Sequence, residues 1–300
     1  MLPAFPEFTQ ISLSDRLFVQ NALWKYQPDT SELTFTNLFI WRKYYGTMLS
    51  LYRDWLLIVF TKTSTGAIGL QPIGPPSRQS AVRVLLDWLK EKGQDKPYLE
   101  RIDQKLVFEL AGANDFLIEA VRNDYDYVYR SRDLIDLAGR RFHAKRNFIN
   151  TFRNNHRFIY EDITTDNVKD CLEMAARWCQ QRQCAEDLSL TSEWEAVNEA
   201  LRNFSALKIQ GSLIRLDSRV ESFALGELLN PQTMVVHVEK ANPDIRGLYA
   251  VINQQFAEHN AQEVPLINRE QDVGEPQLRK AKMSYYPDHF IEKFRVCLKD

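Results

Sequence analysis

Long apolar runs are missing from this chain. The longest in the first half is Trp55–Phe60, against the roughly 20 residues a membrane span needs. The start, Met-Leu-Pro-Ala-Phe-Pro-Glu-Phe, lacks the basic opening and apolar core of a secretory signal. These absences predict a cytoplasmic protein with no integral membrane segment. Cysteine is scarce. Cys171, Cys179, Cys184 and Cys297 form no Cys-x-x-Cys pair and no zinc spacing. Reduced, mostly buried thiols and no metal site are expected. Neither sign of charge dominates: 38 Lys and Arg stand against 40 Asp and Glu, a net charge of −2. That excludes a generally basic nucleic-acid binder. Any phosphate recognition must come from local patches.

One local patch has no acid at all. Between Arg140 and Arg157 lie five Arg, one Lys and two His. On a helix, at about 100° per residue, Ala138, Phe142, Ile149 and Phe152 share a stripe. Arg146, Arg153 and Arg157 form a second stripe beside it. Lys145 falls inside the apolar stripe, where a charge is costly without a partner. Two readings follow. One is a linker helix with a solvated basic face. The other is a helix that docks two domains and offers Lys145, Arg146 and Arg153 to an anionic ligand.

Three hundred residues suit two domains of about 150 each. The first half reads as a strand at Phe8–Ile11, a helix over about 13–26 and a helix at Thr34–Tyr44. A hairpin, Thr47–Tyr52 with Trp55–Thr61, and a strand at Ala67–Leu70 follow. Ser77 is placed to cap a helix reaching about Lys90. Then come a strand at Tyr98–Ile102, a short helical piece and a strand at Tyr125–Tyr129. The second half repeats the order. A strand at Phe158–Asp162 precedes a helix capped by Thr165 or Asp166. A helix over Glu193–Phe204 is capped by Thr191 or Ser192. The hairpin Ser212–Leu216 with Val220–Leu228, a strand at Thr233–Lys240 and a helix at Gly247–Glu258 follow. A strand at Val264–Ile267, helical Leu278–Met283 and a strand at Phe290–Leu298 complete it. This predicts a duplicated α+β unit: an N-terminal domain over 1–135, a linking basic helix over 136–157 and a C-terminal domain over 158–300.

The element order resembles the GNAT (acyl-CoA N-acyltransferase) fold, which implies mixed, mainly antiparallel sheets flanked by helices. In that fold the fourth and fifth strands splay apart. The loop after the fourth cradles a pyrophosphate on backbone N–H groups at a helix N-terminus. The family loop reads Gln/Arg-x-x-Gly-x-Gly/Ala. The second half offers Asp244-Ile-Arg-Gly247-Leu-Tyr249, where only the glycine matches. In the first half Gln71–Pro76 carries three prolines, which remove three donors.

Longer stretches resemble a narrower family. They are Phe35-Thr-Asn-Leu-Phe-Ile-Trp-Arg-Lys-Tyr-Tyr45, Gly139–Asn150, Glu239-Lys-Ala-Asn with Gly247–Asn253, and Ile267–Gly274 through Leu278–Pro287. Together they resemble soluble bacterial relatives of the phosphatidylglycerol lysyltransferase C-terminal domain. The resemblance implies two tandem GNAT-like domains, as in the Fem aminoacyltransferases. It also implies transfer of an aminoacyl group from aminoacyl-tRNA, or another activated donor, to an amine or hydroxyl. The acceptor could be a small molecule, a lipid headgroup or a peptide, and tRNA would be a partner. An acyl-CoA-dependent N-acyltransferase and a non-catalytic module that keeps the fold are the alternatives.

Such a transfer needs a base and charge stabilisation for a tetrahedral oxyanion. Strand alternation puts His237 and Glu239 on one face and Lys240 on the other. Glu227 ends the neighbouring strand. Asn268, Arg269, Glu270 and Asp272 follow the next strand, where splayed strands open. Glu239, His237, Asp272 and Glu227 are thus the catalytic candidates. Glu239 or Asp272 would orient a substrate ammonium, and Arg269 would take a phosphate or carboxylate. Arg279, Lys280 and Lys282 extend the cationic surface, with Lys145, Arg146, Arg153, Lys240, Asn268 and Glu270 as further substrate contacts. Tyr285 and Tyr286 are candidate proton donors, although Tyr-Tyr-Pro is more often packing and turn.

Overall fold

The computed structural model describes residues 2–299. The strands are β1 (Thr9–Gln10), β2 (Thr47–Tyr52), β3 (Trp55–Thr63), β4 (Gly66–Gly69), β5 (Leu99–Ile102), β6 (Phe116–Ala120), β7 (Asp126–Arg130), β8 (Ile159–Asp162), β9 (Gln210–Leu216), β10 (Arg219–Asn230), β11 (Thr233–Ala241), β12 (Leu266–Asn268), β13 (His289–Ile291) and β14 (Phe294–Leu298). The helices are α1 (Arg16–Tyr26), α2 (Phe35–Ile40), α3 (Arg42–Tyr45), α4 (Gln79–Glu91), α5 (Gln104–Leu110), α6 (Ser131–Asp136), α7 (His143–Asn155), α8 (Val168–Gln181), α9 (Leu188–Arg202), α10 (Phe204–Leu207), α11 (Leu248–Asn260) and α12 (Pro276–Met283). The class is α+β, with two mixed sheets flanked by helices.

Two compact units divide the chain. The first holds Met1–Asp126, Gln271–Pro276 and Phe290–Asp300, and the second Tyr127–Glu270 and Gln277–His289. The first sheet runs β1-β2-β3-β4-β5-β14-β6 and the second β13-β7-β12-β11-β10-β9-β8. The strand expected at Phe290–Leu298 as the end of the second half is therefore two strands. Of these, β14 pairs with β5 and β6 in the first sheet. Conversely β7, read as the end of the first half, pairs with β12 in the second.

In the first unit, α4 buries Ala81, Val82, Leu85, Leu86 and Leu89 against Leu57, Val59, Leu99 and Val296. Each buried Val or Leu contributes roughly 1.5–3 kcal/mol. Ser77 does not cap α4. It is left-handed, with φ 67°, and the Glu109 carboxylate accepts the Arg78 N–H at 2.9 Å. That carboxylate also takes the buried Arg78 guanidinium at 2.6 Å, so the N-terminus of α4 already holds an anion. Lys293, just before β14, is fully buried. Its Nζ reaches Glu32 Oε1 and Oε2 at 2.7 and 2.6 Å and Asp126 Oδ1 at 2.7 Å. Asp126 also accepts the Ser31 N–H at 2.8 Å and its hydroxyl at 2.9 Å.

In the second unit, α8 and α11 both pack on β10 and β11. Burial on both sides explains why β11 is almost continuously buried. β12 pairs with β11 in parallel over three positions, ending at Val235↔Asn268. β11 runs on to Ala241, still paired with β10 at Ser222. Residues 236–241 therefore line a divergence between β11 and β12.

The basic segment is shorter than expected. Leu137 is left-handed at φ 46° and Gly139 has φ 82°, so Ala138 is exposed and lies outside the helix. A 3-10 turn over Arg140–Phe142 leads into α7, which buries Ile149 and Phe152. α9 begins before Thr191 and Ser192. Asp187 caps it, accepting the Ser189 and Leu190 N–H groups at 2.8 and 3.3 Å. The expectation of four reduced thiols fails at one pair. Cys179 and Cys184 form a disulfide, with Cα atoms 5.2 Å apart. Gln183 at φ 52° turns the chain back after α8 and brings them together.

Candidate functional site

The divergence between β11 and β12 collects charged side chains. His237 and Glu239 leave β11 on the side of the chain that follows β12, and Lys240 leaves on the other. Glu239 accepts from Arg269 Nη2 at 3.0 and 3.1 Å and from Asn253 Nδ2 of α11 at 3.0 Å. Both carboxylate oxygens are thus engaged. A second Arg269 nitrogen, Nη1, is buried without a hydrogen-bond partner, as is Asn253 Oδ1. Arg269 lies over the Tyr285 ring at 4.8 Å and the Tyr129 ring at 5.6 Å. Lys145 of α7 meets the same Tyr285 ring, with Nζ 3.7 Å from its centroid. Burial lowers the Lys145 pKa to about 8. Arg269 pushes it the same way and Glu239 opposes them. Burial raises the pKa of Tyr285 and of Tyr129, so both stay protonated hydroxyls.

A set of polar bonds fixes the Arg269 segment. Asn268 Oδ1 accepts the Glu270 N–H at 2.8 Å. Lys282 donates to the Arg269 carbonyl, and to the Glu270 carbonyl at 3.3 Å. Its own carbonyl accepts the Tyr129 hydroxyl at 2.9 Å. His237 is engaged at both ring nitrogens, Nδ1 to Glu270 Oε1 at 2.9 Å and Nε2 to Glu227 Oε1 at 3.0 Å. Burial opposes charge on this ring. The two carboxylates outweigh it and hold its pKa up at about 9. His237, Glu227, Glu270, Asn268 and Lys282 thus brace Arg269, and the imidazolium has no free nitrogen to offer a substrate.

Other residues singled out from sequence lie apart. Lys240 Nζ meets Glu193 Oε1 at 2.6 Å and the Trp178 ring at 3.6 Å, on the α8–α9 side. Arg146 donates to the Leu137 carbonyl, and to the Gly139 carbonyl at 2.7 Å. Arg153 reaches Gln254 Oε1 at 3.4 Å. Arg279 and Lys280 lie on α12, where Lys280 is exposed. Asp272 belongs to the first unit, where it accepts the Gly274 N–H at 2.8 Å and stands 3.8 Å from Arg122. Asn253 and Tyr129 were missed. Asn253 sits on the buried stripe of α11, and a polar residue among apolar ones was the available signal.

The expected loop at Gly247 is not open. A Cβ there would overlap the Phe148 carbonyl oxygen of α7 and stand 3.2 Å from the Phe152 Cβ. α7 fills the space beside the N-terminus of α11. Among the described residues there is no group of three His, Cys, Asp or Glu able to hold a metal, and no helix is long and apolar enough to cross a membrane.

The antiparallel run, the parallel pair and the divergence with its polar cluster define a GNAT-like fold. An acetyltransferase of the GNAT family from Colwellia psychrerythraea matches it with a TM-score of 0.51 at 9% identity, covering 98% of this chain and 100% of that one. The chain belongs to the family described as phosphatidylglycerol lysyltransferase, C-terminal, whose model matches residues 25–297. A conserved protein of unknown function from Bacteroides thetaiotaomicron is 33% identical over 100% of both chains, with a TM-score of 0.90. The C-terminal domain of a protein described as a lysylphosphatidylglycerol synthetase from Agrobacterium fabrum gives a TM-score of 0.66 at 11% identity, over 95% of this chain and 92% of that one. No curated protein matches.

Proposed function

We propose that this protein is an aminoacyltransferase whose site is the β11–β12 divergence of the second unit. The acceptor amine or hydroxyl attacks the ester carbonyl of an activated amino acid. The carbonyl carbon gains a bond to nitrogen or oxygen and loses its bond to the donor oxygen. The acceptor's proton ends on the departing hydroxyl. Family membership supports a transferase. The observation that carries the reading is the desolvated Lys145–Arg269 pair beside Glu239. Buried positive charge is what a developing oxyanion needs.

The donor we favour is aminoacyl-tRNA, with the exposed parts of α7 and α12 meeting its phosphates. A cytoplasmic setting goes with that donor. The strand orders support reading the two sheets as tandem GNAT-like copies, each with one strand taken from the other half of the chain. An acyl-CoA donor is the weaker reading. The space at Gly247 is filled by α7, and the first-unit helix start already carries Glu109.

The test is binding of aminoacyl-tRNA against uncharged tRNA, titrated with salt. Preference for the charged form is expected, with steep salt dependence from counterion release. Equal, purely salt-driven binding rejects the tRNA donor. Stabilisation by millimolar CoA in low salt would favour the acyl-CoA reading instead.

A further inference from the structure

We infer that Lys145 and Arg269 form a binding site for a tetrahedral phosphate oxyanion, as a phosphate or a phosphodiester. The inference rests on the reading above, because it assigns a ligand class to the same divergence.

Glu239 does not neutralise this site. Its two oxygens already accept from Arg269 Nη2 and Asn253 Nδ2, so a substrate ammonium would compete with both. Two cations against one carboxylate leave the cluster with one excess positive charge when Lys145 is protonated. Among the described residues, neither Lys145 Nζ nor Arg269 Nη1 has a hydrogen-bond partner. An orphaned buried donor costs about 1–3 kcal/mol, and a ligand acceptor removes that cost.

The donor set also selects the shape of the anion. Arg recognises a planar carboxylate best when two parallel N–H groups are free. Here Nη2, which takes part in both parallel pairs, is already used by Glu239, and the buried Nη1 is the unpartnered donor. The second donor is a lysine on a different element, α7, against the shared Tyr285 ring. Donors arriving from separate directions match oxygens at the corners of a tetrahedron better than the two coplanar oxygens of a carboxylate. The same complementarity covers the tetrahedral intermediate of acyl transfer, so a bound phosphate would stand where that intermediate forms.

Lys145 makes the site pH-dependent. Arg269 and Glu239 act on it, the Tyr285 ring lies against it, and Tyr129 lies against Arg269. The two tyrosines stay neutral, because burial pushes both upward. The charge that holds the anion is thus present below about pH 8 and lost above it.

The experiment is titration of the full chain with dimethyl phosphate, which carries one negative charge across the whole pH range. Binding is followed by thermal shift. Inorganic phosphate is a second ligand, and chloride and acetate at matched ionic strength are controls. Phosphate and its diester should stabilise the protein beyond both controls. Lys145→Met and Arg269→Gln should each weaken the dissociation constant about tenfold or more, the scale of one lost charge-assisted hydrogen bond. Between pH 7 and 10 the native protein should lose affinity and Lys145→Arg should keep it. The arginine variant also guards against misfolding of the others. Equal stabilisation by acetate, or native affinity in Lys145→Met and Arg269→Gln, overturns the proposal. Aminoacyl transfer without phosphate binding would sink this site and leave the aminoacyltransferase reading. Phosphate binding without transfer would do the reverse.

Discussion

His237 and Lys145 occupy the same unit and titrate against each other. The folded pKa of His237, about 9, lies above its ordinary 6.5. Its contribution is full below pH 6.5 and is lost as pH rises through 9. A tenfold change in proton affinity is worth about 1.4 kcal/mol, so this contribution is on the order of 3 kcal/mol. Lys145 is depressed from 10.5 to about 8. Its buried charge costs stability below pH 8, and that cost fades between 8 and 10.5. His237→Gln should therefore flatten the fall in melting temperature between pH 6.5 and 9. Lys145→Met should melt higher than native at pH 7, and should flatten the rise above pH 8. Melting curves across pH at fixed ionic strength check both, and an unchanged profile in either variant contradicts the charge assigned to that residue. Lys293→Met is a third case. It removes the ammonium from Asp126 and leaves Glu32 only Arg101, at 3.7 Å, and the expected loss is about 3–5 kcal/mol in urea unfolding.

Among elements, the α7–α11 contact is one of close backbone approach within the second unit. Gly247 has φ 91°, and a Cβ there meets the Phe148 carbonyl. Gly247→Ala should cost roughly 2–4 kcal/mol by combining backbone strain with overpacking. A variant as stable as native would show that the two helices separate easily. This position also shows where sequence reading stopped. Gly247 matched a phosphate-loop pattern, yet its requirement comes from a helix about 100 residues earlier in the chain. Periodicity did place the hairpins, α4, α8 and α11, because their buried faces follow the 2- and 3.6-residue repeats. It missed β6, whose Phe116 and Ile118 face the core, because the intervening Leu117 is apolar yet exposed and hides the alternation. In the site, alternation grouped His237 with Glu239 and set Lys240 apart. Asn253, Tyr129 and the bracing of Arg269 by Lys282 depend on tertiary contacts that no local pattern carries.

For the whole molecule, the exchange of strands outweighs the apparent repeat. A cut between residues 135 and 158 removes β14 from the first sheet and β7 from the second. It also strips the first unit of Lys293. Fragments 1–135 and 158–300 expressed separately should therefore lack cooperative thermal unfolding, which calorimetry would show. A sharp transition in either fragment would mean that its sheet tolerates the missing strand.

The place of β14 also bears on how the protein is made. During synthesis the first half leaves the ribosome long before residues 294–298 exist. Until those residues emerge from the exit tunnel, β5 and β6 have no strand between them, and Glu32 and Asp126 lack Lys293. The first unit cannot be finished first. Nascent chains stalled before residue 294 should remain sensitive to protease throughout that unit, and resistance should appear in one late step.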